Sequence, residues 1–178
     1  MPTRGLAPLT LALAVAGPAA AEVKSAAPNG FEVAATLVIA APSDRVYSAL
    51  GEIGRWWSSS HTLSRDSANL SLELRAGGCF CERLKDRGSV AHMMVVYAAP
   101  GAGLRLRGAL GPLQAEGVDG ALSWTLKPAE GGTSITQSYV VGGYIRGGME
   151  PWAPRVDRVL NEQLQRLKSF VEGKSLPD

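Results

Sequence analysis

The chain has 178 residues, of which 46% are hydrophobic and 19% charged, a composition that excludes a disordered polymer. Its 18 basic and 16 acidic residues leave a net charge of +2 and are scattered along the sequence, which argues against a nucleic-acid binder with a concentrated basic patch. The 21 glycines and 11 prolines favour many turns and short strands over a helical bundle.

The first 21 residues have the pattern of a secretory signal peptide. A single basic residue, Arg4, precedes an apolar run over residues 6–16, and small residues occupy positions 19–21. The apolar run is shorter than the roughly 20 residues that a transmembrane helix needs. We therefore expect cleavage after Ala21, no stable membrane anchor, and a periplasmic or secreted mature protein.

The mature chain is predicted to form one domain over residues 31–173, between a flexible N-terminus at 22–30 and a tail at 174–178. Residues 31–40 are rich in apolar and β-branched side chains and predict the first strand. Two short helices are expected directly after this strand. Ser43 offers N-cap chemistry for the first, and Ile53, Trp56 and Trp57 indicate the second.

Six further strands are predicted from the alternation of apolar and polar residues. Leu104 and Leu106, for example, alternate with two arginines, which is typical of a strand with one dry face and one wet face. The alternating runs lie at residues 70–75, 80–84, 90–97, 104–107, 122–127 and 134–141. With the first strand, they predict a curved antiparallel sheet of about seven strands.

A long amphipathic helix is predicted from Trp152 to Glu172, after a glycine-rich passage at 142–148. Its apolar residues recur at spacings of three and four, as a helix with one buried face requires. The apolar face of the sheet must pack against this helix, which gives an α+β fold. A strongly curved sheet around one helix leaves a cavity between them, and a ligand would bind there.

Cys79 and Cys81 are the only cysteines, and they lie two residues apart in a predicted strand. In a regular strand their Cα atoms would be about 6–7 Å apart, whereas a disulfide favours about 5.5–6 Å. We therefore expect two free, partly buried thiols, although a β-bulge would permit a bridge. A metal site needs more ligands than these and His92 provide, so neither a metal nor a cofactor is expected.

Glu82 is the most informative polar residue, because it shares a strand face with inward-pointing apolar residues. A carboxylate in an apolar interior is costly unless it is paired or protonated. Glu82 is therefore a candidate catalytic acid or base, with a structural ion pair to a neighbouring arginine as the alternative. His92 would be its catalytic partner if its side chain faces inward, which the alternation around it does not decide.

Six residues are candidates for contact with a ligand. Trp56 and Trp57 follow the short helices at the expected mouth of the cavity, where large aromatics either stack on a ligand or fill the core. The others share the inward faces of the predicted strands. The full set is Trp56, Trp57, Phe80, Trp124, Gln137 and Tyr139.

Five stretches of the sequence resemble the SRPBCC superfamily, which includes START lipid-binding, polyketide cyclase-like and birch-pollen-allergen-like proteins. They are residues 39–50, 56–57, 77–82, 110–114 and 156–160. The closest likeness is to the bacterial branch similar to the activator of a heat-shock-chaperone ATPase. The resemblance spans about residues 31–172 and implies a helix-grip fold with an apolar cavity. It does not imply one activity, since this superfamily serves many, and the activator's cytosolic role conflicts with the predicted signal peptide.

Three functions are compatible with these observations. The leading hypothesis is a binding protein for a small hydrophobic molecule, such as a lipid, isoprenoid, polyketide or aromatic metabolite. The second is a cyclase- or hydratase-type enzyme in which Glu82, with His92, moves protons. The third is a protein-interaction module that uses the outer sheet face or the glycine-rich passage, and a filled cavity would favour it.

Overall fold

The computed structural model describes residues 22–177, so the predicted signal peptide lies outside the described residues. Two α-helices and eight strands form within this range, with short 3-10 turns between some of them. The strands are β1 (Glu22–Ala27), β2 (Gly30–Ile39), β3 (Leu70–Leu72), β4 (Cys79–Arg83), β5 (Ser89–Ala99), β6 (Gly103–Gly108), β7 (Gly117–Ala129) and β8 (Gly132–Tyr144). The helices are α1 (Ser43–Gly51) and α2 (Ala153–Val171).

All eight strands belong to one antiparallel sheet with the order β1-β2-β8-β7-β6-β5-β4-β3. The long hairpin of β7 and β8 pairs residue by residue from Gly117 with Tyr144 to Ala129 with Gly132. Helix α2 buries Leu160, Leu164 and Leu167 in the core that the inner sheet face contributes to. This architecture confirms the predicted α+β helix-grip fold. None of the helices within residues 22–177 combines the length and apolar character needed to cross a membrane.

The N-terminal segment differs from the prediction, because residues 22–27 form an edge strand rather than a flexible arm. β1 pairs with β2 in register from Glu22 with Ala34 to Ala27 with Gly30, with an irregularity between Val23 and Ser25. The sequence of this segment has no clear alternation, since an edge strand receives its hydrogen bonds from one neighbour and buries little side chain. The sheet therefore has one strand more than predicted.

The connection after α1 also differs in detail from the two predicted short helices. Only the first is an α-helix, and the second is a 3-10 turn at Ile53–Arg55. Two more 3-10 turns follow, at Ser59–His61 and Ser67–Asn69. Trp56 and Trp57 lie within this connection, and both side chains are buried.

A β-bulge interrupts the ladder between β4 and β5. Phe80 pairs with Met93 and Cys81 pairs with Ala91, so His92 is an extra residue without an opposite partner. Both His92 and Met93 are buried as a result. A bulge redirects side chains in this way, which explains why simple alternation did not assign a face to His92.

Cys79 and Cys81 form a disulfide, so the prediction of two free thiols was wrong. Their Cα atoms are 5.3 Å apart, closer than the about 6–7 Å expected for residues i and i+2 of a regular strand. The exception noted from the sequence applies here, because the irregularity between β4 and β5 falls between Phe80 and Cys81.

Candidate functional site

A cavity of about 500 Å³ lies between the sheet and the first half of α2. This volume is within the range of pockets that hold drug-sized molecules. Most of its lining is apolar: Trp57, Leu63, Leu70, Phe80, Leu110, Pro112, Leu113, Trp152, Val156, Val159 and Leu160. The polar side chains among the described lining residues are Ser60, His61, Thr62, His92 and Arg155.

The segment between β6 and β7 forms one side of this cavity. Gly111 has a φ of +54°, a conformation that costs residues with a Cβ more than it costs glycine. Pro112 follows at the start of the 3-10 turn Gly111–Ala115, where its fixed φ suits a helical first turn. The turn brings Leu110 and Leu113 to the cavity, and Leu113 is almost fully buried.

Glu82 and His92 form a buried pair in the cavity wall. Oε2 of Glu82 lies 2.9 Å from Nε2 of His92, and the two side chains are 0% and 7% exposed. The backbone N–H of Leu63 donates to the same carboxylate at 3.2 Å, and the N–H of Ser64 donates to its other oxygen. The neighbours of Glu82 are therefore hydrogen-bond donors, as a buried carboxylate requires.

These hydrogen bonds determine the protonation of the pair. Burial alone would raise the pKa of Glu82, but the hydrogen bonds from Ser64, His92 and Leu63 outweigh it and hold that pKa below its ordinary value of 4.5. The carboxylate is thus ionised at neutral pH and accepts a hydrogen bond, so Nε2 of His92 carries the proton.

The other ring nitrogen of His92 has only a weak partner. Nδ1 lies 3.4 Å from Nε2 of Gln114, which also donates to the carbonyl of Ala91 at 3.2 Å. At this length the contact with Nδ1 is marginal, so its lone pair is available to a hydroxyl or acidic proton of a ligand. If a proton of the ligand moved to Nδ1, His92 would become an imidazolium, and Glu82 would stabilise this cation.

His92 lines the cavity, whereas Glu82 lies behind it and does not. The imidazole also packs against Phe80, with ring centroids 5.0 Å apart. Any acid–base contact with a ligand therefore belongs to His92, and Glu82 acts through it. This placement changes the prediction from the sequence, in which Glu82 was the catalytic acid or base and His92 its partner.

Of the six predicted ligand contacts, Trp57 and Phe80 line the cavity, and they pack edge-on with centroids 5.5 Å apart. Trp56 does not line it. Its indole N–H donates to the carbonyl of Ala49 at 2.7 Å, and its side chain is 1% exposed. The sequence left two roles open for the tryptophan pair, stacking on a ligand or filling the core. Trp56 fills the core.

The remaining three, Trp124, Gln137 and Tyr139, face inward but away from the cavity. The indole N–H of Trp124 donates to Gln137 at 2.9 Å, and the amide of Gln137 donates to the carbonyl of Leu160 at 2.9 Å. The hydroxyl of Tyr139 donates to the carbonyl of Gly108 at 3.2 Å. Burial raises the pKa of Tyr139 to about 12. These side chains tie the sheet to itself and to α2.

Several cavity residues were not predicted from the sequence. His61 lines the cavity and lies 3.0 Å from a carboxylate oxygen of Glu162 on α2. Arg155 and Trp152 contribute from the start of α2, with the guanidinium 5.9 Å from the indole ring centre. The signal available in the sequence was the start of the helix, but not which of its faces turns toward the cavity.

The part of the chain that the structure describes contains no group of three or more His, Cys, Asp or Glu side chains arranged to hold a metal ion.

Residues 30–172 match the protein family described as polyketide cyclase / dehydrase and lipid transport. Because the match covers most of the chain, the protein belongs to this family, and the predicted SRPBCC superfamily is confirmed. The finer likeness to the chaperone-activator branch stays a prediction. A comparison with curated proteins found no significant match.

Solved structures from bacteria share the fold at low sequence identity. Protein MLL2253 from Mesorhizobium loti is 15% identical with a TM-score of 0.59, over 82% of this chain and 99% of that one. CalU16 from Micromonospora echinospora is 18% identical with a TM-score of 0.55, over 86% and 84%. The di-domain ARO/CYC protein StfQ from the steffimycin biosynthetic pathway is 16% identical with a TM-score of 0.56, over 82% and 52%. At these identities the likeness establishes the fold alone.

Proposed function

We propose that this protein binds a small, mostly apolar molecule in the cavity beside α2. The observation that carries the proposal is a cavity of about 500 Å³ with predominantly apolar walls and a single buried imidazole among them. The family to which the chain belongs includes lipid transport in its description, which supports the same class of ligand. A filled cavity would have favoured a protein-interaction module, and this cavity is open, which supports ligand binding instead.

The lining also limits the polarity of the ligand. Nδ1 of His92 accepts a hydrogen bond, which favours a ligand with one hydroxyl, enol or phenol at its buried end. Among the described lining residues, Arg155 is the one with a permanent charge, and no carboxylate lines the cavity. A neutral or acidic amphiphile therefore fits better than a basic one.

A periplasmic or secreted location is part of the proposal. It rests on the signal-peptide pattern of residues 1–21. The Cys79–Cys81 disulfide supports it, because disulfides persist in oxidising compartments.

Native mass spectrometry of protein purified from the periplasm, followed by organic extraction, tests the proposal. We expect a bound small molecule in the wild type and none in Val156→Trp, where the larger side chain fills the cavity. Val140→Trp is the matched control, because Val140 is 48% exposed on the outer sheet face. The proposal fails if wild type and both variants are empty and apolar compounds added in a screen do not bind.

The buried Glu82–His92 pair favours a second function, a cyclase- or hydratase-type enzyme acting on the bound molecule. His92 would take a proton at Nδ1 while Glu82 stabilises the cation. In that case Glu82→Gln lowers turnover at least tenfold and leaves ligand affinity nearly unchanged. Equal turnover in the variant and the wild type, with a substrate in hand, would leave binding as the function.

A further inference from the structure

The disulfide and the bulge occur at the same position in the sheet. On β4 the two steps from Cys79 to Cys81 lie opposite three steps on β5, from Met94 back to Ala91. The additional residue in that span is His92. The disulfide therefore lies opposite the residues of β5 that flank His92, whose imidazole lines the cavity.

The bridge shortens β4 at this position. The Cα atoms of Cys79 and Cys81 are 5.3 Å apart, against about 6.6 Å for two steps of a regular strand. The three steps on β5 have to fit opposite this shortened span, so one residue is displaced from the ladder. His92 is that residue, and it is buried next to Met93 on the inner face.

The segment from Cys79 to Glu82 also carries the surroundings of His92. Phe80, between the two cysteines, packs against the imidazole and forms part of the cavity wall. Glu82, directly after Cys81, accepts the hydrogen bond from Nε2 of His92. Both cysteines are partly exposed, so a reductant has access to the bridge.

We propose that the Cys79–Cys81 disulfide is a positioning element that holds the bulge and thereby keeps His92 paired with Glu82 at the cavity. Reduction breaks the S–S bond and forms two thiols, with two electrons and two protons from an external dithiol that becomes a disulfide itself. β4 then relaxes toward the Cα spacing of a regular strand, and the imidazole of His92 is no longer held against Glu82 at the cavity. Only the consequence for a ligand rests on the proposed function, since the geometry of His92 can be measured without one.

The test is NMR of ¹⁵N-histidine-labelled protein without ligand, in the wild type and in Cys79→Ser/Cys81→Ser. The chain has two histidines, and His61→Gln assigns their signals. In the wild type we expect His92 as the Nε2–H tautomer with a slowly exchanging ring proton. In the double variant we expect that proton signal to disappear and the two tautomers of His92 to average, while the signals of His61 stay unchanged.

An unchanged His92 signal in the double variant, even with a lower melting temperature, would show that the bridge only adds stability and would overturn the proposal. If the variant does not fold, reduction of folded wild type with dithiothreitol replaces it. Loss of the His92 signal alone then supports the proposal. Loss of both histidine signals contradicts it, because the bridge would be holding the whole domain together.

Discussion

Both ends of the interior contain buried side chains with polar atoms, but the hydrogen bonds of these side chains are organised differently. Beside the middle of α2, Trp124, Gln137 and the carbonyl of Leu160 form a chain of hydrogen bonds in a packed core. Beside the start of α2, Glu82 and His92 form an equally buried pair, but one nitrogen of His92 is left nearly unpaired at a cavity. A buried polar residue is thus structural where its hydrogen bonds are complete and a candidate for function where one remains open.

The largest expected effect is the loss of the carboxylate at the cavity end. Glu82→Leu removes the acceptor of three hydrogen bonds, a buried one from His92 and two partly buried ones from Leu63 and Ser64. We expect a loss of about 3 kcal/mol in the free energy of unfolding, as is usual when one partner of a buried pair is deleted. Urea unfolding measures it, with Glu82→Gln as the control that keeps one acceptor oxygen and loses less. Wild-type stability in Glu82→Leu would show that the pair is not formed.

A smaller effect is expected at the packed end. Gln137→Leu leaves the indole N–H of Trp124 without a partner and removes the second hydrogen bond to the carbonyl of Leu160, which costs about 2 kcal/mol. Because Gln137 does not line the cavity, the amount of molecule extracted per protein stays at the wild-type level. A variant that is destabilised and also empty would mean that the two ends are not independent.

The smallest effect is the pH dependence that Glu82 contributes at the cavity end. The pKa of Glu82 is lower in the folded protein than its ordinary value of 4.5, so the ionised form stabilises the fold. This stabilisation is complete above pH 4.5 and is lost as the pH falls through the lower, folded-state pKa. Melting temperatures measured from pH 6 downward should therefore fall less steeply in Glu82→Gln than in the wild type. Parallel curves would contradict the assignment.

The sequence predicted the frame of the molecule well, because alternation and helical spacing are local signals. The seven predicted strands and the long helix all form, and Gln137 and Tyr139 face inward as their strand positions indicate. What these two side chains do was less predictable. Their partners, Leu160 and Gly108, lie 23 and 31 residues away, and no periodic pattern encodes such contacts.

The bulge was the other limit of the sequence reasoning. It depends on a mismatch in length between β4 and β5, which neither strand shows when it is considered alone. His92 and the Cys79–Cys81 bridge were both uncertain for this one reason. The pairing of His61 with Glu162 was missed in a similar way, since the two residues are 101 positions apart.

The turn Gly111–Ala115 contributes to the cavity wall although it is not part of the β-ladder. It connects β6 to β7 outside the sheet, and Leu110, Pro112 and Leu113 line the cavity. Exchanging Leu110 or Pro112 would change the shape of the cavity without shifting any strand register, whereas Leu113 also belongs to the core. Proteins that share this fold can therefore differ in the shape of their cavity through one short connection, and protein engineering can begin at the same place.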